Sequence, residues 1–396
     1  MDLIEKPILM EPLLPAEGNR LLEDLAIELV ARAASLAGKI SKETVDVVAT
    51  LVRSMNCYYS NLIEGHNTHP VDIEKALRGE YSQDPIKRNL QLEAFAHIEV
   101  QALIDNSAIG FVDPVSKDHI LWLHREFCQR LPSELLKNHD PKTGLEITVI
   151  PGEFRTGQVV VGNHLAPVAA ALSGFLTLFE QRYDPANLSA LMRVIAVAAS
   201  HHRLLWIHPF FDGNGRVARL FSHTFLKAIG IGNGLWSISR GLARNASEYK
   251  QRLAAADQWR ESDTDGRGSL TERGLVGFCE FFLVTCIDQI KFMENLLEPS
   301  TLTERMRLFC YEEIESKRLP RGSFELLREL VLAGAVPRSR VMTITGYQER
   351  QCRTITAALI SRGLVQSLTP RSELRLAIPH AVVERWFPKL YPHEVS

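Results

Sequence analysis

One histidine, one carboxylate, two glycines around an asparagine and two arginines fall within His208-Pro-Phe-Phe-Asp-Gly-Asn-Gly-Arg-Val-Ala-Arg219. Gly213-Asn214-Gly215 lets the backbone turn its N–H groups inward, and the helix expected after it adds a positive N-terminus, so a polyphosphate fits there. A plain Asn-Gly turn ahead of a helix would use the same residues. The two arginines favour the phosphate site. Arg216 stands at the helix start, where its planar fork can reach β- and γ-phosphate oxygens. Arg219, three residues on, shares its face. Asp212 beside such a nest would repel phosphates unless a cation lay between, which makes it the expected Mg²⁺ ligand, with a helix N-cap as the competing role. His208 can take a proton from a hydroxyl at neutral pH while the oxygen attacks the α-phosphate. Phe210 is expected to point inward and anchor the loop, and His201 and His202 to pack or hydrogen-bond within a helix.

These residues match HPFx(D/E)GNGRxxR at every defined position and so resemble the signature of the Fic (filamentation induced by cAMP) family. The resemblance spans roughly residues 40–296. It implies transfer of AMP from ATP to a Tyr, Thr or Ser hydroxyl of a target protein, or of the chain itself. Gly215 argues against the Doc-like branch, which transfers phosphate and loses the second glycine. Phosphocholine transfer stays open on the motif alone. A β-hairpin flap that docks the target by strand addition is also implied, and Phe154, Arg155, Thr156, Gly157, Gln158 and Val159 resemble it. Many relatives carry tyrosine at the position of Phe154. Arg240-Gly-Leu-Ala-Arg-Asn245 and Tyr249 look like the segment lining the nucleoside pocket; Tyr249 either contacts the adenosine or packs in the core. Ser60-Asn-Leu-Ile-Glu64-Gly65 matches the (S/T)xxxE(G/N) inhibitory motif and is followed by His-Asn-Thr-His-Pro. Ser60 and Glu64 are four apart on one helical face. By the resemblance, Glu64 pairs with Arg219 in the place of the γ-phosphate. Some members with this glutamate also remove AMP, the glutamate activating water.

The elements that must position these groups are mostly helical. Leu21, Leu22, Leu25, Ala26, Leu29 and Val30 recur at helical spacing. Ser41 precedes a second helix, with the stripe Val45, Val48, Leu51, Val52 and Met55. Helical periods return at 117–131, 186–206, 216–230 and 272–296. Between them, residues 147–162 are β-branched at both ends around a glycine-containing centre and predict a hairpin. Glu298-Pro-Ser-Thr predicts a linker. Beyond it come a helix capped by Ser323, a turn at 334–337, a short helix at 338–345 and a helix from Tyr347 to Arg362 that Gly363 ends. A small hairpin around Pro370-Arg371-Ser372 follows, and the whole order resembles a winged helix-turn-helix.

The fold class expected is therefore mainly α: a Fic helical bundle with a β-hairpin flap plus a C-terminal winged helix-turn-helix-like domain. The expected domains are 1–110 with the inhibitory helix, 111–296 as catalytic core and 303–396. From Thr303 on, 15 Lys+Arg face 10 Asp+Glu. With Gln348, Arg350, Gln351 and Arg353 near the start of the third helix, this motivates DNA as an accessory partner.

Composition is that of an ordinary globular protein, 45% hydrophobic and 23% charged, with net charge −2. The six cysteines form no CxxC pair, so neither zinc nor a disulfide framework is expected. Neither a signal peptide nor a membrane span is read from the sequence, and a cytoplasmic protein is expected. A homodimer is expected from the family.

Overall fold

The computed structural model describes residues 4–106, 113–139 and 146–392. The domain boundary expected at 110 lies outside them. The chain divides into two compact units: residues 1–33, 56–233 and 237–289, and residues 34–55, 234–236 and 290–396. In chain order the helices are α1 (Arg20–Gly38), α2 (Lys42–Ile63), α3 (Pro70–Leu77), α4 (Pro85–Asp105) and α5 (Lys117–Cys128), then the strands β1 (Lys137–His139), β2 (Glu146–Thr148), β3 (Val160–Val161) and β4 (His164–Leu165). The helices α6 (Leu172–Tyr183), α7 (Ala190–Ile207), α8 (Asn214–Ala228), α9 (Ile238–Arg244), α10 (Ala246–Ala256) and α11 (Glu272–Leu297) follow. Helix α2 gives its first part to the second unit and its last part to the first, as does α11 in reverse.

Helix formation follows local rules. Ser41 Oγ accepts from Thr44 N at 3.3 Å, and Val48, Leu51, Val52 and Met55 are buried along α2. At the other end of α2, Gly65 N donates to Leu62 O and His66 N to Asn61 O, an arrangement that satisfies the last carbonyls. Of the α1 stripe, Leu22, Ala26 and Leu29 are buried while Leu21 and Val30 face outward. Helix α7 starts at Ser189, whose Oγ accepts from Met192 N, and is buried nearly all round, the pattern of a central helix.

The hairpin expected over 147–162 does not form as one unit. Its N-terminal end pairs with β1 and its C-terminal end with β4, each pair antiparallel. Two of the backbone donors between them are bound to other parts of the chain. Pro151 has none, Gly152 N donates to His124 Nδ1 and Arg155 N to Pro209 O. A ladder across 149–159 would have to break those bonds.

The second unit contains α12 (Pro299–Glu315), α13 (Ser323–Ala333), β5 (Ala335–Val336), α14 (Val341–Thr345), α15 (Glu349–Ser361), β6 (Val365–Gln366), β7 (Leu374–Leu376) and α16 (His380–Trp386). Its sheet has the order β5-β7-β6, antiparallel throughout. The linker expected at 298–301 is instead the start of α12, because Pro299 at the first helical position needs no N–H partner. Ser323 lies inside α13 rather than capping it. Gly322 is the cap, and the Ser323 hydroxyl donates to Pro320 O.

Candidate active site

Helix α7 ends at His208, whose backbone is left-handed with φ 49° and ψ 61°. A non-glycine residue holds that conformation only when its surroundings enforce it. Here His208 N donates to Leu204 O at 3.1 Å, and Arg155 Nε donates to His208 O at 2.8 Å. The Arg155 guanidinium also donates to Gly157 O and Pro167 O. Expected in a docking flap, its side chain is a buried strut beneath the end of α7. Burial pushes the His208 imidazole down to about 4, so the ring is neutral at neutral pH.

The loop after His208 is tied from within. Phe210 is buried and stacks on His124, with ring centroids 3.8 Å apart and planes 3° off parallel. Asn214 Oδ1 accepts from Phe210 N at 3.0 Å, and Asn214 Nδ2 donates to Phe210 O at 2.8 Å. The Asn214 side chain thereby holds the loop shut, leaving its backbone for the nest. Gly213 is the N-cap of α8 at φ 80°, a conformation that favours glycine. Gly213 N donates to Asp212 Oδ1 at 2.6 Å, while the Asp212 side chain remains 43% exposed at the loop surface.

Both motif arginines project from the first turns of α8 and are buried. Arg219 Nε donates to Ser60 Oγ at 2.8 Å, and Arg219 Nη2 to Ser60 O at 3.0 Å and Glu64 Oε1 at 2.6 Å. Burial by itself would raise the Glu64 pKa, but the Arg219 charge and hydrogen bond hold it below the usual carboxylate value. A Cβ on Gly215 would stand 2.2 Å from Glu64 Oε1, so this glycine is what lets the carboxylate rest against α8.

Arg216 is ion-paired through Nη1 with Glu93 Oε1 of α4 and through Nη2 with Asp212 Oδ1 at 3.3 Å. It also lies 5.1 Å over the Phe127 ring. Burial lowers its pKa to about 10, which leaves it charged at neutral pH. Glu93 is 2% exposed, and its other oxygen, Oε2, lies 2.6 Å from His66 Nδ1. Glu93 is not singled out by the sequence, and His66 enters there only as the first residue of the His-Asn-Thr-His-Pro segment after the inhibitory motif. A signal existed: Glu93, His97 and Gln101 recur every four residues on the buried side of α4.

The remaining candidates fall in two groups. Tyr249 is buried, its hydroxyl 2.7 Å from His201 Nε2, whose Nδ1 meets Ser222 Oγ at 2.7 Å. Phe154 lies 6.2 Å from Phe210, ring to ring, and Gly157 fits beside Phe211. Thr156 and Gln158 are exposed, Gln158 Nε2 donates to Ala166 O, and Val159 O accepts from Ala166 N. His202 is held by Arg203, Asp257 and Leu253 O within the core.

The model of the Fic/DOC family matches residues 114–226, the stretch that holds α5, α7, the loop and most of α8. A protein adenylyltransferase Fic of Drosophila sechellia is 32% identical over 173 residues, which are 44% of this chain and 32% of that protein. Its counterpart in Drosophila virilis is 31% identical over the same length and shares of both chains. The chain thus spans 32% of the length of these curated relatives. Among solved structures, a Fic family protein from Desulfovibrio desulfuricans is similar over 90% of this chain and 96% of its own, at 15% identity and TM-score 0.50. A Fic domain containing signaling protein from Bacteroides thetaiotaomicron is similar over 68% of this chain and 95% of its own, at 20% identity and TM-score 0.51. These likenesses place the Fic domain in a mainly helical fold shared with those proteins. Among the described residues no helix is long and apolar enough to cross a membrane.

Proposed function

We propose that the chain is an autoinhibited protein adenylyltransferase. The observation that carries this reading is the meeting of a neutral His208, a glycine-capped helix start and two arginines, with the Glu64 carboxylate seated on Arg219. In the reaction, a Tyr, Thr or Ser hydroxyl oxygen bonds to the ATP α-phosphorus as the bond to the pyrophosphate oxygen breaks. His208 takes the hydroxyl proton. The nest at Gly213–Gly215 and Arg216 bind the departing phosphates, and Arg219 binds the γ-phosphate once Glu64 has left.

No group of three or more metal-ligating side chains occurs among the described residues. One exposed carboxylate, Asp212, fits Mg²⁺, which takes one or two protein carboxylates and completes its shell with phosphate oxygens and water. The bound ion would neutralise charge on the leaving pyrophosphate. The two-residue strand β3 carries exposed Val160 and Val161 on a two-stranded ladder directly after residues 154–159, and this supports those residues as the docking flap for a target strand. Six free, buried cysteines suit a reducing compartment such as the cytoplasm. The family resemblance supports an adenosine role for Tyr249 and a homodimer, and with the sequence periodicity it supports the division at 1–110, 111–296 and 303–396.

Labelled ATP tests the chemistry. The Glu64→Gly protein is expected to retain label from α-labelled ATP and none from γ-labelled ATP. Retained γ label would replace the reading by phosphoryl transfer. Release of that label as free AMP on adding wild-type protein would add a reverse activity, in which Glu64, 32% exposed in its side chain, would activate the water.

A second reading concerns residues 303–396. Helix α13, strand β5, helices α14 and α15 and the β6–β7 pair follow the order of a winged helix, and α15 exposes Arg350, Gln351, Arg353 and Thr354. We propose DNA as an accessory partner of this surface, with Arg371 at the exposed β6–β7 turn on the phosphates. Full-length protein is expected to shift duplex DNA at low salt, with affinity falling steeply between about 50 and 200 mM. Arg350→Ala with Arg371→Ala should reduce the salt slope by roughly two. No shift at low salt would dispose of this role.

A further inference from the structure

Glu93 touches both halves of the site yet belongs to neither motif. Its carboxylate is almost fully enclosed, and it divides its two oxygens between partners of different kinds. Oε1 carries Arg216, the arginine at the start of α8. Oε2 takes His66 Nδ1 at 2.6 Å, and His66 directly follows Glu64 and Gly65, the turn that closes α2. The ion pair with Arg216 favours the ionised form of Glu93, and beside an ionised carboxylate Nδ1 carries the hydrogen and donates. Three fastenings therefore hold that helix end: Ser60 and Glu64 on Arg219, and His66 on Glu93. His66 also closes the helix through its own N–H to Asn61 O at 2.9 Å, so its ring and Glu64 belong to one rigid turn.

We propose that Glu93 is the positioning residue shared by the phosphate site and the brake, orienting Arg216 with one oxygen and holding the end of the inhibitory helix, through His66, with the other. The proposal rests on the adenylyltransferase reading for the meaning of activity, though not for the binding measurements below.

The physical argument is one of asymmetry. A buried guanidinium without a fixed acceptor would sample several rotamers, and a fork that wanders loses its bidentate grip on phosphate oxygens. Glu93 removes that freedom from below while leaving Nη2 on the Asp212 side, where the nest opens. Loss of Glu93 should thus cost affinity for ligands with β- and γ-phosphates and spare those without them. His66, by contrast, is 42% exposed in its side chain, and its hydrogen bonds are its ring to Glu93 and its N–H to Asn61 O. Its loss should cost only the fastening of the brake.

The test is a set of variants of the full chain. In the Glu64→Gly protein, Glu93→Gln is expected to weaken ATP binding about tenfold or more, with AMP binding little changed, as read by calorimetry. Separately, His66→Ala with Glu64 intact is expected to raise self-modification several-fold, and to add nothing in the Glu64→Gly background, where the brake is already off. Unchanged ATP affinity in Glu93→Gln, or equal loss of ATP and AMP, would overturn the positioning role. An unchanged rate in His66→Ala, or a further rise on top of Glu64→Gly, would overturn the fastening role. Should Glu93→Gln fail to fold, the solvent-facing His66→Ala still decides the shared-anchor idea. If Glu64→Gly binds ATP but transfers no AMP, the adenylyltransferase reading fails, and the ATP and AMP comparison still judges Glu93.

Discussion

His208→Ala should reduce AMP transfer, self-modification included, by about two to four orders of magnitude, the range in which a positioned general base contributes. The fold should survive the change. The contacts that hold residue 208 in its left-handed turn are made by its backbone, with Leu204 O on one side and Arg155 Nε on the other. Far-ultraviolet circular dichroism and ATP binding should match those of the parent, while labelled AMP disappears from the protein. The measurement belongs in the Glu64→Gly background, where the parent rate is high. A His208→Ala protein that still takes up AMP at the parent rate would end the proposed mechanism.

The same residue sets a pH expectation. Burial lowers its pKa to about 4 from the ordinary 6.5, so the neutral, proton-accepting form dominates above that value. Activity should not decline between pH 8 and pH 6 through titration of this ring. The loss assigned to His208 enters only as pH falls through about 4. A midpoint near 6.5 that vanishes with His208→Ala would mean the ring is solvated in the working enzyme.

Glu64→Gly is expected to raise self-modification by at least an order of magnitude. In the resting protein Arg219 Nε and Nη2 are held by Ser60 and Glu64, so ATP is expected to meet its α-phosphate site with the γ-phosphate displaced. A misplacement of about 1 Å can cost on the order of a hundredfold in rate, so the brake need not prevent nucleotide binding. Combining Glu64→Gly with Arg219→Ala should abolish the gain, because the freed partner is then missing. Stability should move in the opposite direction to activity. Removing Glu64 leaves a guanidinium only 1% exposed, although two bonds to Ser60 remain. The loss should therefore be smaller than the roughly 3–5 kcal/mol expected when a fully buried pair is broken, and added ATP should recover it. A Glu64→Gly protein with unchanged rate across several Mg²⁺ and ATP concentrations would reduce Ser60–Gly65 to an ordinary helix end.

Much of this site could be read in the chain itself because its parts are contiguous. Gly213, Asn214 and Gly215 lie in one turn, and Arg216 and Arg219 follow on one helical face, so spacing alone placed them together. The helices were legible for the same reason: caps such as Ser41 and Ser189 and the stripe from Val48 to Met55 act within a few residues of where they stand. Even the approach of Glu64 to Arg219 could be anticipated from a second local motif, though the two are 155 residues apart.

Only the tertiary structure decided which groups complete the charges. Nothing local tells that Glu93 is ion-paired with Arg216 or that His66 shares it across 27 residues. Arg155 read as part of a hairpin, yet its guanidinium turns inward to the carbonyls of Pro167, Ile207 and His208 as well as the nearby Gly157, and no strand forms over residues 149–159. A buried cation takes its acceptors wherever packing supplies them, and packing follows from the whole chain rather than from any window of it.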